Sequence, residues 1–318
     1  MQNRLDTQHR WNNSDDIHVF RSPAKVVESR KYLVFVSTST STDVGFRQDY
    51  LYEPNRTFDL AVRYYQQPNE RDPLFVSADY VLSGGLSKFH SAQQFLLKLD
   101  LLDRYDGFLF LDGDVKFGAG DIDRLLAFAT AMDFDLAQAA TTHNSYISWD
   151  VTRASTSFMC RETSFVEVMA PYLSRHALKT VLHTFEQSIS SYGLDFAWPK
   201  ILKTPKIGIV DCIRMHHSMP VDPTNGPFYA YLRSINVEPY AELEKIMHEY
   251  GASLEEYPHD VAGYFLADQH NRQELTRVPL IRLPRKRAHQ MRRQDGPAVL
   301  IARIFRIGRT VRLEQDLP

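Results

Sequence analysis

The stretch YDGFLFLDGDV, Tyr105–Val115, decides how the rest of this chain is read. After Gly107 come four large apolar residues in a row, Phe108 to Leu111, the pattern of a strand covered on both faces. Two aspartates, Asp112 and Asp114, follow at once with only Gly113 between them. Carboxylates just beyond such a strand stand at the carboxyl edge of a sheet, where open α/β folds take their ligands. Gly113 permits a tight backbone path, so both side chains could reach one hard divalent cation, Mn2+ or Mg2+, bridging a diphosphate. The pair could also be no more than a charged turn; its place after a buried run favours the site.

Outward from this stretch, Tyr32–Ser37 (YLVFVS) and Phe58–Tyr65 (FDLAVRYY) read as strands, and Pro73–Ala78 as a third short apolar segment. Ser37 and Thr38, where the first strand runs into a Ser/Thr-rich loop, are candidate contacts to a nucleotide donor. Gly84-Gly85 precedes a helix expected over Ser87–Leu101. Beyond Asp114 the pattern predicts a helix over Ile122–Met132 and a strand over Phe134–Ala140. His143–Thr163 reads as an active-site loop or short insertion. A helix-compatible stretch from Ser174 to Tyr192 ends at Gly193 as its cap, and Ile207–Val210 is a last core strand. Strands alternating with helices predict an α/β fold with a mainly parallel sheet between helical layers.

Three further clusters carry chemistry. In YGLDFAW, Tyr192–Trp198, Asp195 is a candidate base for an acceptor hydroxyl, with aromatics able to stack on a sugar, or it is a helix-start cap beside core aromatics. In IVDCIRMHHSM, Ile209–Met219, a neutral imidazole of His216 or His217 is a competent Mn2+ ligand. Adjacent residues on an extended segment point to opposite faces, so one of the two at most reaches the metal. Glu167, inside the apolar run FVEVM, either faces a cavity as a site residue or pairs with a base such as Arg161 or Arg175, because a lone buried carboxylate is costly.

Composition narrows the classes. With 318 residues, 43% hydrophobic and 24% charged, the chain suits a large globular α/β body. No apolar run reaches the roughly 18 residues of a membrane span, and MQNRLDTQHRWNNSDD lacks the apolar core of a secretory signal. A cytoplasmic enzyme is expected. The two cysteines, Cys160 and Cys212, form no CxxC and read as reduced thiols in packed positions.

In this order the clusters resemble the plant and bacterial domain-of-unknown-function family 707 (DUF707), which looks like a glycosyltransferase family of the GT-A type. The resemblance rests on LDGDV, on LAQAA at Leu136–Ala140, on SFVEVMAPYLSR at Ser164–Arg175, on YGLD at Tyr192–Asp195 and on GIVDCIRMHH at Gly208–His217. It spans roughly Tyr32 to Pro220, and Lys88 falls where the family tends to carry a lysine. It implies a nucleotide-binding α/β sandwich of GT-A type and a metal-dependent transfer from a nucleoside-diphosphate-sugar donor to a glycan acceptor. By position, the metal roles fall on Asp112, Asp114 and His217, with His216 less favoured, and the acidic residue near the acceptor on Asp195. Gly113 and Phe89-His90 depart from the plant members, which leaves donor and acceptor open.

The chain divides into a polar arm (1–29), a catalytic domain (30–260) and a basic tail (261–318). From Arg272 onward, 12 Lys/Arg face 4 Asp/Glu, against 25 and 35 before it, so a tail of +8 follows a body of −10. Leu300, Ile304, Ile307 and Val311, interleaved with arginines, predict a basic amphipathic helix. It could dock on an anionic membrane surface, at the inner face of the plasma membrane, where a lipid-linked glycan would lie, or pack on its own domain or in a homo-oligomer. Nucleic acid is disfavoured, because the tail lacks interleaved aromatics and the body is acidic. Two rival functions share the Asp-x-Asp pattern: a haloacid-dehalogenase-like phosphotransferase, whose first aspartate is a nucleophile, and a non-catalytic nucleotide-sugar binding module.

Overall fold

The computed structural model describes residues 15–23, 27, 29–39, 55–66, 68, 70–220, 226–256, 258–269 and 272–280. Its strands are β1 (Ile17–Arg21), β2 (Tyr32–Thr38), β3 (Phe58–Tyr64), β4 (Tyr80–Gly84), β5 (Gly107–Asp112), β6 (Val115–Phe117), β7 (Leu136–Thr141), β8 (Cys160–Thr163), β9 (Tyr172–Ser174), β10 (Ile207–His217), β11 (Asp260–Gln269) and β12 (Arg272–Pro279). They form one sheet in the order β1-β4-β3-β2-β5-β9-β7-β10-β8-β11-β12, with β6 paired to β10 off this path. Pairing is parallel through β4-β3-β2-β5 and between β7 and β10, and antiparallel elsewhere. The helices are α1 (Pro73–Ser77), α2 (Lys88–Lys98), α3 (Asp121–Ala131), α4 (Arg175–Val181), α5 (Leu194–Ile201), α6 (Pro227–Ser234) and α7 (Pro239–Tyr250).

The central strands have a core on each face. Val34, Val36, Leu109 and Leu111 enter one cluster with helix α3, while Leu33, Phe35, Phe108 and Phe110 enter the other with helix α2. Two-sided burial is why these strands read as unbroken apolar runs, and the α/β sandwich expected from them is present.

Some elements differ from expectation. Pro73–Ala78 is helical: Pro73 opens α1, and Asp72 caps it by accepting from the Leu74 N–H at 3.0 Å. The strand lies just beyond, at Tyr80–Gly84. The helix beginning at Ser174 stops at Val181 and continues as a 3-10 turn to Glu186. Gly193 does not close it; with φ of +87° it precedes α5 instead. The stretch His143–Thr163 contains β8, and the arm before residue 30 contributes β1, antiparallel to β4. Cys160 is buried as expected, whereas Cys212 is exposed.

At the far side of the sheet, β11 and β12 form a hairpin that docks on β8. The basic amphipathic helix expected beyond residue 297 lies outside the described residues. Among the described residues, no helix is long and apolar enough to cross a membrane.

Candidate active site

Parallel pairing puts the ends of β3, β2 and β5 side by side: Ser37 is aligned with Arg63 on one flank and Asp112 on the other. Arg63 donates to the Ser37 hydroxyl at 3.0 Å and to the carbonyls of Gly84 and Gly85 at 3.0 and 2.6 Å, and burial pulls its pKa down to about 10. The turn between the aspartates is packed onto the end of β2. A Cβ on Gly113 would lie 2.6 Å from Thr38 Oγ1 and 2.9 Å from the Ser37 carbonyl oxygen, so glycine is what lets the chain pass there. Ser37 and Thr38 thus form the floor beneath the aspartates.

Lys88, in the first turn of α2, places Nζ 2.7 Å from Asp112 Oδ1 and donates to the Val168 and Met169 carbonyls at 2.6 and 3.3 Å. Burial lowers the Lys88 pKa against the opposing pull of Asp112. Burial likewise raises the Asp112 carboxyl, against Lys88 and with Asp114 adding to the rise. The Asp112 side chain keeps 40% of its surface open, so water moderates that rise.

His217 reaches the second aspartate through strand pairing. β6 begins one residue after Asp114 and runs antiparallel to the end of β10, with His217 opposite Val115. His217 Nε2 lies 3.1 Å from Asp114 Oδ2, and Nδ1 donates to the Tyr146 carbonyl at 2.7 Å. Burial opposes a charge on this ring, but the Asp114 hydrogen bond and charge, with the Tyr146 carbonyl, lift its pKa to about 9. His216 turns away, its Nδ1 being 3.1 Å from Thr142 Oγ1 and 3.3 Å from Ser145 Oγ.

Glu167 and Asp195 are both buried, 6% and 7% exposed. Neither suggested base pairs with Glu167: Arg161 binds Asp211 and Asp260, and Arg175 binds Asp106. Glu167 Oε1 accepts the Ser148 N–H at 3.2 Å, while Oε2 has no partner. Its own N–H donates to Gln138 Oε1 at 2.7 Å. Asp195 stands in the first turn of α5 and accepts the Phe196 N–H at 3.1 Å. Burial pushes Asp195 well above the usual carboxylate range and Glu167 adds to the rise; burial also raises Glu167. The nearby aromatics are mostly core: Trp198 packs on Phe89 and Phe185, and Phe196 on Trp149 and Phe165. Half-buried Tyr192 instead meets Tyr229 of α6, hydroxyl to hydroxyl at 2.8 Å.

Sequence reasoning missed Arg63, Gln138 and Tyr229. Arg63 had a signal, a charge after the apolar run LAV in the strand FDLAVRYY; Gln138 and Tyr229 had none beyond their polarity.

Among the described residues, no group of three or more His, Cys, Asp or Glu side chains is arranged to hold an ion. The donor chemistry still fits a hard divalent cation, with Asp112 and Asp114 as carboxylates and His217 as imidazole. The Tyr146 carbonyl keeps the proton on Nδ1, so Nε2 is the ring nitrogen that could meet a cation.

Residues 75–226 match the model of the family described as "Protein of unknown function (DUF707)", a span that includes all five sequence blocks on which the resemblance rests and begins after the strand at Tyr32. No curated protein matches the chain. Among solved structures, GalNAc-T7 with UDP, GalNAc and Mn2+ is similar at 10% identity and a TM-score of 0.46, over 71% of this chain and 57% of that one. TarS 1–349 of S. aureus in complex with UDP is similar at 12% identity and a TM-score of 0.40, over 71% and 73%. A197 from STIV is similar at 13% identity and a TM-score of 0.36, over 59% and 86%.

Proposed function

We propose that the protein is a metal-dependent glycosyltransferase that moves a sugar from a nucleoside-diphosphate-sugar to a glycan acceptor at or near a membrane surface. One observation carries this: at the carboxyl edge of the parallel strands, two aspartates one residue apart are held by different partners, Asp112 by Lys88 and Asp114 by His217. Buried Glu167 feels the charges of His217 and Asp112, and buried Asp195 feels that of Glu167. A lysine, an imidazole and two half-buried carboxylates at one edge of the sheet suit a cation and a diphosphate together.

In this proposal Asp114 and His217 hold Mn2+ or Mg2+, with Asp112 contributing directly, through water or to the donor ribose. The cation would supply charge stabilisation to the departing diphosphate. Lys88 holds Asp112 in place and adds positive charge beside the phosphates. Ser37 and Thr38 shape the donor floor. Asp195 takes the acceptor proton if transfer inverts the anomeric centre. The basic tail would bring the enzyme to an anionic surface bearing a lipid-linked acceptor.

Calorimetry of UDP, GDP, CDP and their sugar conjugates, with and without Mn2+, tests the core of this proposal. Metal-dependent binding of one nucleotide, lost in Asp114→Ala, is the expected result; no binding of any of them would reject it.

A further inference from the structure

The turn that leads into Asp195 is clamped from outside by Glu242, in the first turn of α7. Its carboxylate accepts from the Ile189 N–H at 3.0 Å, from the Ser190 N–H and hydroxyl at 2.7 and 2.5 Å, and from the Ser188 hydroxyl at 3.2 Å. Donors from three successive residues converge on one anion, so the segment has little freedom. The chain then passes through two left-handed residues, Ser191 with φ of +69° and Gly193 with φ of +87°, and Tyr192 stands between them. A serine keeps that conformation only where its surroundings impose it. Here the Tyr192 N–H is tied to Ser190 Oγ at 3.3 Å, and the Tyr192 carbonyl accepts the Ser188 hydroxyl at 3.0 Å. A Cβ on Gly193 would lie 3.1 Å from Ile246, so the turn runs close against α7.

What the clamp presents is an aromatic ring. Tyr192 meets Tyr229 of α6 and Tyr240 of α7 edge to face, with centroids 6.4 and 5.8 Å away and an interplanar angle of 85° in each case. Tyr229 also meets Phe228 at 5.9 Å, and all four rings are half-buried. The Tyr192 and Tyr229 hydroxyls bond each other at 2.8 Å. One O–H of the pair donates to the other, which leaves the second O–H and further lone pairs for a ligand. Gly193 caps α5, and Asp195 stands in its first turn, three residues after Tyr192. Tyr192 feels the charge of Asp195, and Tyr229 feels those of Asp112 and Glu167.

A flat nucleobase needs a parallel slot, and rings set at 85° do not make one. They make a corner. Its ring faces carry the negative π density that attracts C–H bonds, and phenol oxygens at the junction suit hydroxyls. A pyranose offers both, with C–H bonds on one face and hydroxyls around the rim. We propose that Tyr192, Tyr229 and Tyr240 form a subsite for a pyranose ring of the acceptor glycan, with Glu242 as the positioning residue that fixes it ahead of Asp195. Assigning that sugar to the acceptor rests on the glycosyltransferase proposal above; the binding of a sugar at this corner does not.

The test uses full-length protein with neither nucleotide nor metal, so its failure is distinct from failure of donor binding. Saturation-transfer NMR with cellobiose, maltose and diacetylchitobiose should show the ring C–H protons of at least one sugar in contact with the protein. Tyr229→Phe keeps the ring and should keep the signal, whereas Tyr229→Ala should weaken sugar binding about 2–10-fold, the worth of an aromatic contact. Glu242→Ala should weaken it too, and Glu242→Gln, which retains one acceptor oxygen, should recover part of the loss. A purely structural Glu242 would lower the melting temperature and leave sugar affinity unchanged. No contact from any of the three sugars overturns the subsite, and so does equal affinity in the wild type and Tyr229→Ala. Should Tyr229→Ala not fold, Tyr240→Ala reads the same corner. Loss of UDP binding in Tyr229→Ala with sugar affinity unchanged would give the rings to the nucleobase and overturn the proposal.

Discussion

Asp114 and His217 stand 103 positions apart in the chain, yet Oδ2 and Nε2 lie 3.1 Å from each other.

On the proposed assignment, removing either partner should weaken cation binding and leave Asp195 in place. Asp114→Ala and His217→Ala are expected to lower metal-dependent nucleotide affinity by about 10–100-fold, whereas His216→Ala leaves it within about twofold, because His216 faces Thr142 and Ser145. Asp195→Asn should keep nucleotide binding and lower transfer by about 10²–10⁴-fold. Calorimetry and turnover on the same preparations check this; equal losses in His216→Ala and His217→Ala would reject the assignment.

Lys88→Met leaves Asp112 without its cation. Breaking a buried pair costs about 3–5 kcal/mol. Here the loss should be nearer about 2 kcal/mol, because water can reach the Asp112 side chain, 40% exposed. Denaturant titration reads it, and a change below about 0.5 kcal/mol would mean that Lys88 contributes little to the fold.

Gly113→Ala forces a methyl group to 2.6 Å from Thr38 Oγ1 and 2.9 Å from the Ser37 carbonyl oxygen. Overpacking of this kind costs about 1–3 kcal/mol and should shift the aspartates enough to weaken nucleotide binding. Adding Thr38→Ala should restore part of the loss, since the backbone oxygen still obstructs; full tolerance of Gly113→Ala alone would show that the turn can move away from β2.

The hairpin of β11 and β12 should loosen in acid. Arg277 bonds Glu162 at 2.6 Å and holds its carboxyl below the ordinary carboxylate value of 4.5. A lowered folded pKa stabilises above the unfolded value and is lost as pH falls through the folded one. Amide exchange across Tyr264 to Thr276 should therefore rise as pH drops below about 4.5, after correction for intrinsic rates, and less steeply in Glu162→Gln. An unchanged profile in that variant would place the acid sensitivity elsewhere.

Membrane docking is read by vesicle co-sedimentation of the full chain and of a chain ending at Leu280, which retains the hairpin strand β12. The full chain should bind anionic vesicles and the shorter one should not. Equal binding by both would remove the tail from the proposal.

Much of the fold could be read from the chain because its central strands are buried on both faces. Tyr32–Ser37, Phe58–Tyr65 and Gly107–Leu111 needed no periodicity, since apolar residues fill both sides. Pro73–Ala78 misled because short apolar runs carry no period long enough to tell strand from helix, although Asp72-Pro73 held the helix-start signal. Glu167 could be singled out as a charge in an apolar run, but its surroundings depend on Ser148 and Asp195, which no local pattern links to it. His217 could be separated from His216 only by knowing which strand faces β6.

That separation depends on arithmetic within β10. Val210 is aligned with Ala139, but the next pair is Arg214 with Ala140, so Asp211, Cys212 and Ile213 are supernumerary. Three is odd, and the sidedness of the strand inverts across them: Ile209 enters one core, whereas Ile213 and Met215 enter the opposite one. The triplet acts like a frameshift written in side-chain orientation. Deleting a single residue from it would set the two halves of the strand at odds, so that either the pairing of Met215, His216 and His217 with β6 or the sidedness of Ile207 and Ile209 would have to give.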